Sequence, residues 1–275
     1  MTGFSIDWLD LREAADRRAR NDKLLQQAIL WLESAREQTA ELSVVDLGAG
    51  TGSTLRAFST AVEPDQKSLS WRLLDQDAGL LAEATSRHGA SHRLQTYELD
   101  LTDVPALPLE GADLITASAL LDLVSADFID TLAAALQSRC QQKPVGLYAA
   151  LNYDGITRWT PTHPLDQVVL DAFNRDQRSN KGFGVALGPD AGLYMERMFS
   201  SLGFKVFSAN SPWMLDGADN QLVDALISGI GDAVAQGSPL AAPDLLGWIR
   251  FRKAHLRTGT CEVGHTDLLA LPDTV

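Results

Sequence analysis

Two cysteines are all that the 275 residues contain. Cys140 and Cys261 stand far apart with no metal-ligand spacing, so the chain carries neither a disulfide framework nor a thiolate metal centre. Both are expected as free thiols in a reducing compartment, and no metal is expected. Basic charge is also scarce: 23 Lys and Arg against 36 Asp and Glu give a formal charge of −13. Neutralising phosphates takes a basic face, so no nucleic-acid partner is expected. No window approaches the ~18 uninterrupted apolar residues of a membrane span, so no membrane partner is expected either. Residues 1–30 carry charge throughout and lack the apolar core of a secretory leader, which makes the cytoplasm the expected location. Repeats and low-complexity tracts are absent. What is present is 45% hydrophobic and 21% charged residues, in a length that suits one large domain with insertions.

The stretch that organises the rest is Val44-Val45-Asp46-Leu47-Gly48-Ala49-Gly50-Thr51-Gly52. An apolar strand runs into an acid, and three glycines then alternate with small residues. Leu55, Phe58 and Val62 follow at helical spacing. The reading is strand, glycine turn, helix. Glycines remove Cβ atoms where a ligand touches backbone, and the free N–H groups at a helix start meet what the ligand presents. A dinucleotide site would read G-x-G-x-x-G; this turn reads G-x-G-x-G. A tight strand-to-helix turn that binds nothing is the bland alternative.

The heptad Asp46 to Gly52, D-L-G-A-G-T-G, resembles motif I of the class I methyltransferases that use S-adenosylmethionine. Further matches follow in order. Residues 68–75 form a second strand ending in Asp75, whose two oxygens suit the two hydroxyls of a ribose. Gln76 follows it, and Asp77 is expected to cap the next helix. A third strand, residues 92–99, leads to Asp100 and Leu101, where the family often places an acid and a backbone segment for adenine. Asp100 or Asp103 capping a turn is the competing reading. A fourth strand beginning near Ala112 exits at Ser118 and Ala119. Ser125 then caps a helix whose buried face is Phe128, Ile129, Leu132 and Leu136, and residues 145–151 make a fifth strand.

The resemblance implies an α/β fold: a Rossmann-like, doubly wound, seven-stranded sheet with one antiparallel strand. It also implies an S-adenosylmethionine site built from Asp46, Gly48, Ala49, Gly50, Gly52, Asp75, Gln76, Asp100, Leu101, Ser118 and Ala119. Asp46 would fix the turn or reach the methionine amino group. The expected activity is methyl transfer to a small-molecule acceptor. A cofactor-binding protein without catalysis and a nicotinamide oxidoreductase are the alternatives, the latter disfavoured by the glycine spacing.

Around this core the chain adds material. Residues 1–40 read as an N-terminal helical segment or cap to a domain spanning 41–275. Within that segment Arg12, Arg17, Arg18 and Arg20 either pair with Glu13, Asp16 and Asp22 on a solvated face or bring an arginine to the methionine carboxylate. Asn21 is expected to cap a second helix with Leu25, Ala28, Ile29 and Leu32 buried. An insertion at about 156–188 is the expected substrate lid. It includes a helix with Val168, Val169, Ala172 and Phe173 on one face, then Arg178 and Lys181 as candidate acceptor-binding residues, and Phe183 between glycines. A second insertion, 215–257, reads as two helices joined near Pro239 and Pro243. Tyr153, Asp154 and His163 are the general-base candidates by position, each with an ordinary alternative: core packing, an Asp-Gly turn and a turn residue between prolines. His265 and Asp267, on the last strand, share a face and are expected as paired surface polar residues in preference to a catalytic dyad.

Overall fold

The computed structural model describes residues 4–36, 41–61, 69–237 and 240–273. Val62, Ser68 and Pro239, named above, lie outside the described residues. The elements run α1 (Ile6–Ala19), α2 (Asp22–Arg36), β1 (Leu42–Leu47), α3 (Ser53–Ala61), β2 (Leu69–Asp75), α4 (Ala78–His88) and β3 (Arg93–Glu98). They continue with β4 (Leu114–Ser118), α5 (Ala126–Cys140), β5 (Gly146–Thr160), α6 (Asp166–Gln177), α7 (Ala191–Ser201) and β6 (Phe204–Asn210). The chain closes with β7 (Trp213–Leu215), α8 (Asn220–Gly237), α9 (Ala242–Ala254) and β8 (Thr260–Pro272).

The sheet order is β3-β2-β1-β4-β5-β8-β6, with the short β7 also on β8. The first five strands in that order are parallel, and β8 runs antiparallel to β5, β6 and β7. This is the doubly wound sheet with one reversed strand, plus an eighth strand that the sequence did not announce. Alternation along each strand feeds two layers. Val45, Ile115 and Leu147 pack under α5 and α7 with Phe128, Leu132 and Phe199. Val44, Leu114 and Tyr148 pack under α2, α3 and α4 with Ile29, Phe58 and Trp71. The expected caps are in place: Asn21 accepts from Leu24 N–H, Asp77 from Gly79 and Leu80, and Ser125 from Phe128.

Three local expectations are corrected. The fifth strand does not end at Leu151 but runs to Thr160, because β8 is long enough to keep pairing with it. The Asp154-Gly155 step is therefore a bulge inside a strand, with Asp154 Oδ1 accepting the Ile156 N–H, and the buried Thr157 and Trp159 resume the two-residue alternation. On α6, Val169 and Ala172 face inward while Val168 is exposed. His265 and Asp267 are buried, not superficial. Asp267 accepts from the Asn21 N–H, the Leu151 N–H and the Ser211 hydroxyl, and so pins the start of α2 to the sheet.

The extra lengths of β5 and β8, together with β7, support a third core. Tyr153, Trp159, Trp213 and Trp248 are buried there against α6, α8 and α9, with Ala15 of α1. Among the described residues no helix is long and apolar enough to cross a membrane.

Candidate active site

Everything at the site hangs from the turn after β1. Gly48, Gly50 and Gly52 all have positive φ, at 62°, 53° and 87°. A Cβ on Gly50 would stand 3.1 Å from Leu9 of α1, and one on Gly48 would stand 3.1 Å from Leu120. The turn is tied to the end of β2: Ala49 N–H donates to Leu74 O at 3.0 Å and Gly50 N–H to Asp75 Oδ2 at 2.9 Å. Asp75 Oδ1 accepts from Asp77 N–H, and burial raises the Asp75 carboxyl. Beneath the turn Asp46 accepts from the Thr116 hydroxyl at 2.7 Å, which locks β1 to β4. Burial pushes the Asp46 carboxyl up to about 7.

A pocket opens over the carboxyl ends of β1, β2 and β4. Gly48, Ala49, Gly50, Asp75, Gln76, Leu101, Ser118 and Ala119 lie on its wall. Three of the expected cofactor residues are not on that wall. Asp46 lies below it. Gly52 faces α4, where a Cβ would meet the His88 ring at 3.0 Å. Asp100 is exposed and accepts from the N–H and hydroxyl of Thr102, bonds that hold its carboxyl below the usual range.

The roof is α1, which supplies Leu9, Arg12, Glu13 and Asp16 to the pocket, together with Phe4 ahead of the helix. These four helical positions fall at i, i+3, i+4 and i+7, a single face. One leucine among three charges does not read as an apolar stripe, so the sequence offers a cap over the site only as the alternative to a solvated face and does not say which residues line it. Ion pairs hold the roof down: Glu13 to Arg56 at 2.6 Å, Asp10 to Arg87 at 2.6 Å, and Arg18 to Asp219 at 2.7 Å. The arginines divide between surface and interior. Arg18 is half-exposed and paired, whereas Arg12 and Arg20 are buried. Arg20 donates to Ser118 Oγ at 3.1 Å, and its Nε and Nη1 have no hydrogen-bond partner. Leu120, Leu123 and Phe183 complete the wall, with Phe183 edge-on to Phe128 at 5.4 Å.

The other candidates are elsewhere. The Tyr153 hydroxyl donates to Asn174 in the third core. Asp154 serves the β5 bulge. His163 Nδ1 accepts from Leu165 N–H and its ring lies 4.8 Å from Phe251 of α9. Arg178 pairs with Asp190 at 2.9 Å and Lys181 with Asp176 at 2.7 Å, and neither lines the pocket.

A glycine turn, an acid at the end of the second strand and a reversed penultimate strand in the sheet together make this the class I methyltransferase fold. Solved structures bear this out. A Bacillus halodurans C-125 protein assigned to the methyltransferases matches 88% of this chain over 99% of its own, at 12% identity and a TM-score of 0.50. A cyclopropane-fatty-acyl-phospholipid synthase-like protein of Lactobacillus casei matches 94% of this chain over 98% of its own, at 12% identity and a TM-score of 0.50. No family model and no curated protein matches the sequence.

Proposed function

We propose that this protein is an S-adenosylmethionine-dependent methyltransferase acting on a small-molecule acceptor. The observation that carries this is the joining of Gly48, Gly50 and Asp75 on one pocket wall, with the Gly50 N–H bonded to the Asp75 carboxylate. The residues fit the cofactor. Side chains on Gly48 and Gly50 would fill the cradle. Asp75 keeps lone pairs on both oxygens for the ribose hydroxyls, with Gln76 beside it and Leu101 against the adenine. Arg20 does not line the pocket, but it lies buried behind Ser118 of the pocket wall, and its positive charge there suits the methionine carboxylate. When bound, the cofactor supplies an activated methyl group and its own leaving group. The protein's part is to align the acceptor in line and keep water out, which is the work of proximity and orientation. The α1 roof and Phe183 are the residues that close the site, and its confinement beneath them favours a small acceptor.

Calorimetry tests the reading. S-adenosylhomocysteine is expected to bind, and to raise the melting temperature, whereas NAD is expected to do neither. Saturation at a hundred times Kd stabilises by about 2.7 kcal/mol. Binding of NAD with no response to S-adenosylhomocysteine would reverse the assignment. Release of S-adenosylhomocysteine from S-adenosylmethionine in the presence of an acceptor separates an enzyme from a binding protein.

A further inference from the structure

Part of the pocket wall is left over once the methyl donor has been given its residues. Phe4, Leu9, Arg12, Leu120, Leu123 and Phe183 share the cavity with the glycine turn and Asp75, yet none of them is needed to hold the cofactor. Five of the six are apolar. The Leu120–Leu123 loop and the Phe183 segment make one continuous wall, because Val124 bridges to Phe183 and the Phe183 ring stands edge-on to Phe128 at 5.4 Å. An apolar body is what such a wall accommodates.

Arg12 is the charged member of this group, and it is only 9% exposed. Its Nε donates to Asp16 Oδ2 at 2.8 Å and its Nη2 to Asp16 Oδ1 at 3.1 Å. Asp16 is fixed in turn by the Trp213 indole N–H at 2.9 Å, and the guanidinium lies 5.1 Å over the Trp213 ring. Asp16 thus takes the Nε–Nη2 edge of the fork and leaves the Nη1–Nη2 edge. Nη1 has no hydrogen-bond partner among the described residues, yet it is not sealed in as the orphaned nitrogens of Arg20 are, so the cavity reaches it. A guanidinium edge held in a fixed plane suits oxygen acceptors, a carboxylate above all.

The same wall offers no base. Among the described residues it has no His, Cys, Tyr or Lys, and its four carboxylates are engaged. Asp16 holds Arg12, Glu13 holds Arg56, Asp75 takes the Gly50 and Asp77 N–H groups, and Asp77 caps α4. An acceptor that must lose a proton therefore finds nothing to take it. An alcohol must lose its own, and an amine arrives as ammonium. A carboxylic acid, with a pKa of about 4, is already ionised at neutral pH.

We propose that Arg12 and the wall of Leu120, Leu123 and Phe183 form the acceptor subsite, and that the acceptor is a monocarboxylic acid with an apolar body. This rests on the methyltransferase reading above. Arg12 holds one carboxylate oxygen through Nη1. The other oxygen forms the O–C bond to the methyl group as the sulfonium S–C bond breaks, with the electron pair passing to sulfur. The products are a methyl ester and the neutral thioether, and no proton moves. Esterification removes the negative charge that Arg12 held, which favours release of the product.

The test uses the full chain with octanoate, phenylacetate and cinnamate as probes, each beside its matched alcohol, amine and thiol. Binding is measured by calorimetry on protein saturated with S-adenosylhomocysteine, and turnover by thioether release and methyl-ester formation from S-adenosylmethionine. The expected result is binding and esterification of at least one acid, and turnover of no matched alcohol, amine or thiol. Arg12→Lys keeps a charge for Asp16 but loses the second edge of the fork. KM for the acid should therefore rise roughly 10- to 100-fold, with S-adenosylhomocysteine affinity held within about twofold. Phe183→Ala serves if Arg12→Lys does not fold, and should raise KM for the acid roughly tenfold with the same cofactor affinity. Methylation of alcohols, amines or thiols in place of acids, no acid bound or esterified by a protein that binds S-adenosylhomocysteine, or unchanged KM in the variants would overturn the proposal. A fall in S-adenosylhomocysteine affinity in Arg12→Lys, in place of the KM change, would overturn it too, by moving Arg12 to the methionine carboxylate. Failure of the wild-type protein to bind S-adenosylhomocysteine would instead remove the methyltransferase reading beneath it.

Discussion

The Gly50 N–H donates to Oδ2 of Asp75 at 2.9 Å, so the turn after β1 and the last residue of β2 form one hydrogen-bonded unit. The bond links two positions 25 residues apart in the chain and puts both on the pocket wall. A change at either residue therefore disturbs the other.

Gly50→Val is expected to abolish the stabilisation by S-adenosylhomocysteine. The residue sits at φ 53°, and its Cβ would press on Leu9 of the roof. The left-handed backbone alone costs about 1–2 kcal/mol for a residue with a Cβ. A folded variant with an unchanged ligand-induced melting shift would show that the turn does not hold the ligand.

Asp75 and Asp77 separate a ligand role from a capping role. Asp77 caps α4 through the Gly79 and Leu80 N–H groups, so Asp77→Ala should cost about 1 kcal/mol in chemical denaturation with affinity near normal. Asp75→Ala removes a charged acceptor from the pocket and frees the Gly50 N–H, so S-adenosylhomocysteine affinity should fall by about 2–3 kcal/mol. Titration calorimetry beside denaturation distinguishes the two, and exchanged phenotypes would mean the roles are reversed.

Asp46 makes stability depend on pH. Its folded value of about 7 lies above the usual 3.8, so the folded protein holds a proton that the unfolded chain has released. The group's contribution is complete below pH ~4 and is lost as pH rises through ~7. Asp46→Asn keeps an acceptor for Thr116 and cannot ionise. Relative to wild type it should therefore gain stability as pH rises from ~4 to ~7, and the difference should level off above that, in urea titrations. A pH-independent difference would mean that Asp46 is already ionised in the folded protein.

Arg178→Gln with Lys181→Gln should leave cofactor affinity and turnover unchanged. Each cation is paired on the surface side, with Asp190 and Asp176, and such pairs are worth about 0–1 kcal/mol. A selective loss of turnover would return these residues to the acceptor site.

The sequence by itself determined the parallel half of the sheet, because its signals are local. The apolar runs of β1 and β4, the glycine spacing from Gly48 to Gly52, and Asp75 at a strand end all lie within a few residues of what they specify. The caps Asn21, Asp77 and Ser125 were legible for the same reason, since a cap bonds the turn that follows it. The roof was legible only as an alternative, and the long β5 and the buried groups on β8 were not legible. Arg12 is buried because its i+4 partner Asp16 also takes the indole N–H of Trp213, some two hundred residues away, and nothing near Arg12 in the chain specifies that tryptophan. Asp154-Gly155 becomes a bulge, not a turn, only because β8 continues alongside. His265 and Asp267 look like surface residues until β5, β6 and β7 close around their strand. Local periodicity sets which residues form an element. Burial and polar partners are settled between elements far apart in the chain, and only the tertiary structure brings those together.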